Sequence, residues 1–495
     1  MKNLCNKLVN NIKKHDVLIV VLLFAMLTSK IVLSIHFNIT DELWNFANIY
    51  KMYNGAQIYT ESNVIITPLF FYIGNIFLHI LGANYLTFRF YGIVIFTSLF
   101  SLMYILFKKL KLSKKYAFIS TMILLCIIYQ LVPVGANYNV LALVFIILGI
   151  LVQISKLNPN TKCILQGIII FLTFYTKQNT GIYYMLGIIA YGILNMAKTK
   201  EYKKQLWGLF KEFFLALILL VISLYSLYIK GNLNDFINYT ILGITEFRQN
   251  TFWSVGNAVQ SILQMLFVIM SYILLNIINP LEKDEKQNIE FILVIAIACL
   301  LIQYPLNNTY HYLCSLTMLM ILEVYVIMQI LANYKKFDCW VKRINILVAI
   351  IIIVMFSVNT ITYINKLKDS KLKGTIYFGS NMSDELYEDN KEICNYILAQ
   401  KKQGIDVKII SERAMFYNSI LKINNKEFDL SFLGNLGKEG ENGLINKIRE
   451  LKNAKILIIK NEEDMHYQES KNIRQYIMNN LEKEGEIGEF CIYKK

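Results

Sequence analysis

The chain is short of charged residues, which make up 17% of its 495 positions, whereas soluble globular proteins average about 25%. Hydrophobic residues make up 55%, which excludes a disordered chain and a coiled coil. The net charge of +15 is unevenly spread. Residues 1–364 hold 28 Lys and Arg against 14 Asp and Glu, and residues 365–495 hold 22 against 21. The excess positive charge therefore lies in the apolar part, as in loops that flank membrane spans, and a nucleic-acid-binding domain is excluded.

Common nucleotide- and metal-binding motifs are also missing. The sequence has no GxGxxG motif, no P-loop, no internal repeat and no low-complexity linker, and none of its eight cysteines has a metal-binding spacing. Most cysteines lie in apolar runs, where a free thiol packs as a small hydrophobic group. Cys394 and Cys491 lie in the polar last part, where the sequence allows either a disulfide or two separate thiols.

Long apolar runs predict a polytopic membrane domain over residues 1–364. The first run follows a basic segment, is long enough to span and has no small-residue cleavage site, so we expect a retained anchor rather than a signal peptide. About eleven transmembrane helices are predicted, near residues 17–35, 86–107, 116–134, 138–154, 163–177, 180–196, 210–229, 258–279, 289–305, 309–332 and 344–364.

One further apolar stretch, at residues 65–81, decides the predicted topology. If this stretch does not cross, the basic loops all lie on one side, with 22 Lys and Arg there and 5 on the other side, outside the C-terminal domain. The positive-inside rule favours this arrangement. Pro68, Asn75 and His79 also suit a helix at the membrane surface. We expect a cytoplasmic N-terminus, an integral plasma-membrane location, and two long outer loops at residues 36–85 and 230–257.

Residues 365–495 are predicted to form a soluble, extracytoplasmic α/β domain. Apolar segments that read as strands alternate with amphipathic segments that read as helices, a pattern typical of a small parallel or mixed sheet. The predicted strands are residues 407–411, 455–460 and about 490–493, and the predicted helices are residues 385–403, 444–452 and 468–481.

Asp41 and Glu42 are the strongest catalytic candidates. They lie a few residues beyond the first span, at the start of an amphipathic segment that we expect to lie along the membrane. Two carboxylates at a helix start can simply favour the free N–H groups and the helix dipole. A carboxylate at the outer membrane boundary can also take a proton from an acceptor hydroxyl whose partner substrate is anchored in lipid.

Several other polar residues on the predicted outer side are candidates for substrate binding. Cations there can bind a lipid phosphate or can snorkel, and acidic residues in the long second loop can be plain surface. A histidine at a helix start can donate to phosphate or can have a structural role. The candidates are Arg89, Lys177, Asp235, Glu246, Arg248, Tyr310 and His311. Glu323 lies too deep in the tenth span for a reaction at the outer face, and we leave it out.

The order of these elements resembles the amino half of GT-C glycosyltransferases, and in particular the group of protein mannosyltransferases and aminoarabinose transferases. The resemblance rests on Asp41-Glu42, Thr67-Pro68-Leu69-Phe70, Leu81-Gly82 and Arg89, with corresponding places at Thr176-Lys177 and Tyr310-His311-Tyr312. Two departures are visible. Many relatives carry Pro-Pro where this chain has Thr67-Pro68, and many carry an acidic residue where it has Asn137-Tyr138-Asn139.

The resemblance implies a membrane glycosyltransferase that uses a polyprenyl-phosphate sugar as donor and inverts the anomeric carbon. Asp41 would be the general base, with support from Glu42, and Lys177, Arg89, Arg248 and His311 would contact the donor phosphate. The acceptor, whether a protein, a lipid or a wall polymer, is not indicated. The family allows a divalent metal, which this sequence does not indicate.

Three other functions compete with this interpretation. A flippase or transporter of lipid-linked saccharides predicts charged residues inside the bundle and often inverted repeats. An O-antigen-ligase type of enzyme uses similar donors but concentrates its functional residues in a large, late outer loop. The C-terminal domain would also permit a non-catalytic, partner-binding membrane protein.

Overall fold

A computed structural model of the chain describes residues 16–37, 40–243, 255–278, 280–304, 308–423 and 425–495. The chain divides into two compact units. The first comprises Met1–Ile35, Arg89–Leu220 and Phe252–Lys368, and the second comprises His36–Phe88, Val221–Thr251 and Asp369–Lys495. The second unit thus takes in the first predicted outer loop and most of the second, together with the C-terminal segment.

The described residues form eighteen α-helices and four strands. In chain order they are α1 (Asp16–Leu33), α2 (Asp41–Tyr53), α3 (Leu69–Leu81), α4 (Tyr85–Lys109), α5 (Lys114–Ile127), α6 (Tyr138–Gln153), α7 (Pro159–Thr176), α8 (Gln178–Thr199), α9 (Tyr202–Ile229), α10 (Leu233–Ile237), α11 (Val255–Ile278), α12 (Lys283–Cys299), α13 (Thr309–Ala332), α14 (Lys335–Asp369), α15 (Asp384–Lys402), β1 (Asp406–Ile410), α16 (Ala414–Leu421), α17 (Gly440–Glu450), β2 (Ala454–Ile459), α18 (Lys471–Asn480), β3 (Glu482–Ile487) and β4 (Phe490–Lys494).

A helix lies at each of the eleven predicted spans, which confirms the predicted class of polytopic helical membrane protein. Among the described residues, seven of these helices are long and apolar enough to cross a bilayer by themselves, namely α1, α4, α8, α9, α11, α13 and α14. The other four, α5, α6, α7 and α12, have 14–18 residues and are shorter or less apolar. A helix with few lipid contacts does not need a fully apolar surface, and α6 is buried along most of its length.

The basic loops are gathered at one end of the first unit. Asp16 at the start of α1 accepts ion pairs from Lys108 and Lys114 at 2.8 and 3.1 Å, and Lys111 pairs with Glu282 at 2.6 Å. Further polar contacts join the remaining basic segments to this end: Lys115 with Asp338, Lys198 with Glu290, and Lys211 with Asn160. Asp16 and the described residues of the other five basic segments counted in the sequence are therefore linked at one end of this unit.

Helices α1 and α4 run antiparallel within that unit. Asp16 at the start of α1 meets Lys108 at the end of α4, and the hydroxyls of Thr28 and Thr97 are 2.8 Å apart further along the pair. The last residue of α1 and the first residue of α4 therefore lie at the same end of the helix pair, away from the basic loops. Helix α3, in the segment between α1 and α4, has 13 residues and is about 20 Å long, which is shorter than the hydrocarbon core of a bilayer.

The second unit contains a mixed four-stranded sheet with the strand order β1-β2-β4-β3. Strands β1 and β2 are parallel, and β4 is antiparallel to both of its neighbours. Three strands lie where the sequence predicts them. The charged strand β3 (sequence EKEGEI) was not predicted, because an exposed edge strand has no apolar face to reveal it. Cys394 and Cys491 are two separate buried thiols.

The two segments predicted to be outer loops are built into this second unit by backbone and side-chain contacts. The backbone N–H groups of Tyr85 and Leu86 donate to the carbonyls of Ile376 and Phe378, each at 2.8 Å. The Thr60 hydroxyl donates to the Asn232 side chain at 2.6 Å. Buried aromatic rings fill the space between these segments, and the Phe46 and Tyr85 rings lie 4.7 Å apart. The first loop therefore contacts both the C-terminal segment and the second loop.

Candidate functional site

Helix α2 presents the Asp41–Glu42 pair at its first turn. Asp41 is the first helical residue and is exposed to solvent, whereas Glu42 is completely buried. Carboxylates in a first helical turn are stabilised by the free N–H groups and the helix dipole. The structure therefore places the two predicted catalytic residues in different surroundings, since the Asp41 side chain is exposed and the Glu42 side chain is buried.

The remainder of α2 differs from the sequence expectation. We predicted an amphipathic helix lying along the membrane, but residues 42–51 are buried without interruption, on every face of the helix. The physical reason is the packing of the second unit, in which α3 covers one side of α2 and α16 covers another. Trp44, for example, packs edge-on against Phe71 of α3, with the ring centroids 5.7 Å apart. A helix buried in this way gives Asp41 a rigid support.

Glu412 lies beside the start of α2, and our sequence reasoning missed it. It follows strand β1, and its carboxylate accepts a hydrogen bond from the Thr40 side chain and feels the charge of Asp41. Its backbone N–H donates to Oε1 of Glu469 at 2.5 Å. Burial raises the pKa of Glu412 above its usual range. Ligand-binding residues often follow the carboxyl ends of strands in α/β folds, and this signal could have identified Glu412 from the sequence.

Lys177 is the best-defined cationic candidate and belongs to the first unit. It joins α7 to α8, is 5% exposed, and its ammonium donates to Oδ1 of Asn139 and lies 5.7 Å from the centroid of the Tyr138 ring. Asn137 accepts from the Asn139 amide group at 2.9 Å, which orients the Asn139 oxygen toward Lys177. Because Asn139 is neutral, this contact positions the ammonium without cancelling its charge.

A glycine allows the tight joint at Lys177. A Cβ atom on Gly181 would lie 2.3 Å from Cα of Phe174, so only glycine permits α7 and α8 to approach this closely just beyond the lysine. The position of Lys177 is therefore set by the backbones of two helices rather than by a loose loop.

His311 lies at the start of α13 in the same unit, within electrostatic range of Lys177. Asn308 accepts hydrogen bonds from both the backbone N–H and the ring Nδ1 of His311, at 2.9 and 2.8 Å. Since the amide oxygen can only accept, Nδ1 carries the proton and Nε2 is the nitrogen available for other contacts. Tyr310 is half-buried beside it. The structure thus brings Lys177 and His311 into one polar region.

The remaining candidates have other surroundings. Arg89 in α4 is completely buried. Asp235 in α10 forms an ion pair with Lys426 at 2.7 Å and lines a pocket of about 330 Å³ in the second unit. Glu246 and Arg248 lie outside the described residues. Within the part of the chain that the structure describes, no three His, Cys, Asp or Glu side chains are grouped to hold a metal ion.

These features define a polytopic helical membrane protein. It has a solvent-exposed carboxylate on a buried helix, a lysine fixed at a helix joint and a small mixed β-sheet packed with helices. The same fold occurs in solved structures of ArnT from Cupriavidus metallidurans. The crystal structure of ArnT bound to undecaprenyl phosphate superposes with a TM-score of 0.55 at 10% identity, covering 97% of both chains. The apo structure gives a TM-score of 0.55 at 9% identity, covering 97% of this chain and 98% of ArnT.

ArnT is an aminoarabinose transferase with a GT-C fold, so the resemblance that we described from the sequence is confirmed at the level of the fold. No family model matches the sequence, and no curated protein matches it significantly. The three-dimensional likeness therefore spans nearly the whole chain, although few residues are identical.

Proposed function

We propose that this protein is an integral-membrane glycosyltransferase that moves a sugar from a polyprenyl-phosphate donor to an acceptor at the outer face of the membrane. The observation that carries the proposal is the fold match to ArnT over 97% of both chains, since one of those ArnT structures holds undecaprenyl phosphate. The solvent-exposed carboxylate of Asp41, on a helix fixed in the core of the second unit, supports it.

In the proposed reaction, an acceptor hydroxyl attacks the anomeric carbon of the donor sugar in one displacement. Asp41 takes the hydroxyl proton as the new C–O bond forms, and the bond between the anomeric carbon and the phosphate oxygen breaks. The electron pair of that bond leaves with the polyprenyl phosphate, and the anomeric configuration inverts. Glu42, the residue that follows Asp41, is completely buried. We assign it a supporting role.

Lys177 and Arg89 are the proposed cationic contacts for the donor phosphate, and His311 would contact it through Nε2 only when both ring nitrogens carry a proton. Negative charge grows on the phosphate oxygens as the sugar leaves, and fixed cations stabilise this charge most strongly where water is excluded. The support for Lys177 is its near-complete burial and its fixed orientation by Asn139. A lipid-linked phosphate has the chemistry that a buried and oriented ammonium group binds.

The orientation that we propose follows from the charge of the loops. The basic segments, whose described residues are linked to Asp16 and to one another at one end of the first unit, would face the cytoplasm under the positive-inside rule. The N-terminus would then be cytoplasmic, and the second unit, with Asp41, would be extracytoplasmic.

A donor panel tests the proposed function directly. The purified full-length protein is incubated with polyprenyl-phosphate sugars and an envelope extract as the source of acceptor, and release of free polyprenyl phosphate is measured. We expect release with at least one sugar, and at least about a hundredfold slower release by Asp41→Asn, because a general base is removed. Asp384→Asn is the matched control, since Asp384 is also the exposed first residue of a helix.

Two results would refute the proposal. Movement of an intact donor across liposome membranes without sugar loss would indicate a transporter. Equal activity of the Asp41→Asn and Asp384→Asn variants would remove Asp41 from the reaction.

A further inference from the structure

A pocket of about 330 Å³ lies between two segments of the second unit that are far apart in the sequence. One wall is formed by Asp235, Asn238 and Tyr239 of the second predicted outer loop, and the other by residues between 426 and 447. We call it the Asp235 pocket, after the substrate-binding candidate that lines it. Its volume is in the range of sites for small molecules. Among the described residues that line it, none is a proposed contact of the donor phosphate.

Two polar contacts join the walls of the Asp235 pocket. The Asp235 carboxylate forms an ion pair with Lys426 at 2.7 Å, and the backbone N–H of Lys438 donates to Oδ1 of Asn238 at 2.9 Å. The Lys426 ammonium also lies 5.1 Å from the centroid of the Tyr239 ring, so a second contact holds it in place. The pocket is therefore preformed, and a ligand can bind without first ordering either wall.

The backbone of each wall has an unusual geometry at the same contact. Asn238–Leu242 is a π-helical turn, a rare geometry that occurs frequently at functional sites. On the facing wall, Gly437 has a φ of +70°, and a Cβ atom there would lie 3.0 Å from Nδ2 of Asn238. A side chain at position 437 would be strained and would push the walls apart, so glycine permits their close approach.

The charges that line the Asp235 pocket are balanced. Three acidic and three basic side chains line it, namely Asp235, Glu427, Glu439, Lys426, Lys438 and Lys447. A ligand with a net charge of either sign would meet repulsion as well as attraction here. Carboxylates accept hydrogen bonds and ammonium groups donate them, whereas a hydroxyl group does both. Leu436 adds an apolar patch. The lining therefore matches an uncharged ligand with many hydroxyl groups and some C–H surface.

We propose that the Asp235 pocket binds a saccharide and that this saccharide is part of the acceptor. The proposal rests on the proposed function, and it names the chemical class of the acceptor. Lys177 and Arg89, the proposed contacts for the donor phosphate, belong to the first unit, whereas every residue that lines the pocket belongs to the second. Asp235 and Glu427 accept hydrogen bonds from the sugar hydroxyl groups, and Lys438 donates to them.

Saturation-transfer NMR tests this binding without relying on enzymatic activity. The full-length protein, in a detergent without a sugar head group, is titrated with chitotriose, mannotriose and maltotriose, and separately with the acidic trigalacturonate and with a tripeptide. We expect saturable binding of at least one neutral trisaccharide. Glu427→Ala should weaken it about tenfold, because a charged hydrogen-bond partner is lost. Binding of no neutral trisaccharide, or tighter binding of trigalacturonate or the tripeptide, would overturn the proposal.

Glu463→Ala is the matched control for this variant. Glu427 and Glu463 are each the middle residue of a 3₁₀-helix, at Lys426–Phe428 and Glu462–Asp464, but Glu463 is exposed and does not line the pocket. Glu463→Ala should keep the wild-type affinity for the trisaccharide. Equal losses of affinity in the two variants would remove Glu427 from the binding site and overturn the proposal.

Photo-crosslinking locates the binding site in the wild-type chain, so this measurement does not depend on the folding of any variant. The trisaccharide that binds best carries a diazirine group, and mass spectrometry identifies the labelled peptides. We expect labels within residues 235–239 or 426–447. Labels confined to other segments would contradict the proposal. A polyprenyl-phosphate sugar with the same group that labels this pocket would place the donor there and would overturn the assignment to the acceptor.

The donor assay separates this proposal from the proposed function. With an active donor, Glu427→Ala should raise the apparent KM for the envelope extract about tenfold, with kcat and the KM for the donor unchanged. Trisaccharide binding in the pocket without sugar transfer from any donor would refute the glycosyltransferase function but not the saccharide site. Sugar transfer without trisaccharide binding in the pocket would refute the saccharide site alone.

Discussion

Lys51, near the end of helix α2, forms an ion pair with Asp429, and both side chains are almost completely excluded from solvent, with exposures of 5% and 0%. The two residues are 378 positions apart in the sequence. Asp429 also accepts a hydrogen bond from Asn418, and the neighbouring Asn63 donates to the carbonyl of Leu430 at 2.7 Å. The Lys51–Asp429 ion pair and these hydrogen bonds are buried polar contacts of the second unit. They join the first predicted outer loop to the C-terminal segment.

Replacing Lys51 with methionine should destabilise the second unit strongly. The substitution leaves the Asp429 carboxylate buried without its cation, and breaking such a pair costs about 3–5 kcal/mol. We expect a clear fall in the thermal unfolding midpoint of the full-length protein in detergent. Lys447→Met, which removes an exposed pair with Glu450, should cost less than about 1 kcal/mol. Comparable losses in the two variants would contradict a buried role for Lys51.

Glu469 should make the second unit less stable as the pH rises. Burial raises the pKa of Glu469 to about 8, from 4.5 for an unperturbed glutamate. Between these values the folded chain holds a proton that the unfolded chain has lost, so the free energy of unfolding falls as the pH increases from about 4.5 to 8. The full effect is on the order of 5 kcal/mol.

The test of this pH dependence is the thermal unfolding midpoint of Glu469→Gln at pH 5 and pH 8. The variant cannot ionise, so it should gain stability over the wild type at pH 8 and little at pH 5. Glu463→Gln, at an exposed nearby position, serves as the control and should keep the wild-type pH dependence. A parallel pH dependence of wild type and Glu469→Gln would show that Glu469 is not the responsible group.

Lys177→Met should impair the use of a polyprenyl-phosphate donor. Loss of a preorganised cation that contacts the leaving phosphate costs about a hundredfold in kcat/KM, and Lys177→Arg should recover part of it because the charge is retained. Lys203→Met, at an exposed position, should have no effect. The measurement is the rate of release of polyprenyl phosphate at several donor concentrations. Activity of Lys177→Met at the wild-type level would exclude a phosphate contact.

The orientation in the membrane can be tested with two exposed serines. Ser113 precedes α5 among the basic segments of the first unit, and Ser383 precedes α15 in the second unit. In a chain whose native cysteines have been replaced, Ser383→Cys should react with an impermeant maleimide on intact cells. Ser113→Cys should react only after the cells are permeabilised. The opposite pattern would place Asp41 on the cytoplasmic side and would remove the proposed acceptor chemistry from the outer face.

The local sequence predicted most of the secondary structure, because the signals are strong and short-ranged. Apolar runs located the eleven helices, and short apolar segments between amphipathic segments located three of the four strands. The charge of the loops also predicts that residues 65–81 do not cross the membrane, and this topology stays a prediction. Asp41 could be identified as a candidate because it follows the first span directly.

The sequence did not predict which residues of α2 are buried or which distant residues contact one another. The composition of α2 suggested a surface helix, yet Lys51 and Glu42 are buried because partners from distant segments surround them. Glu412 could not be placed beside Asp41 from the sequence, since the folding of the C-terminal segment onto the first outer loop creates that contact. Apolar length and loop charge are local properties that fix the spans, whereas the surroundings of a carboxylate depend on residues hundreds of positions away. Only the tertiary structure brings those residues together.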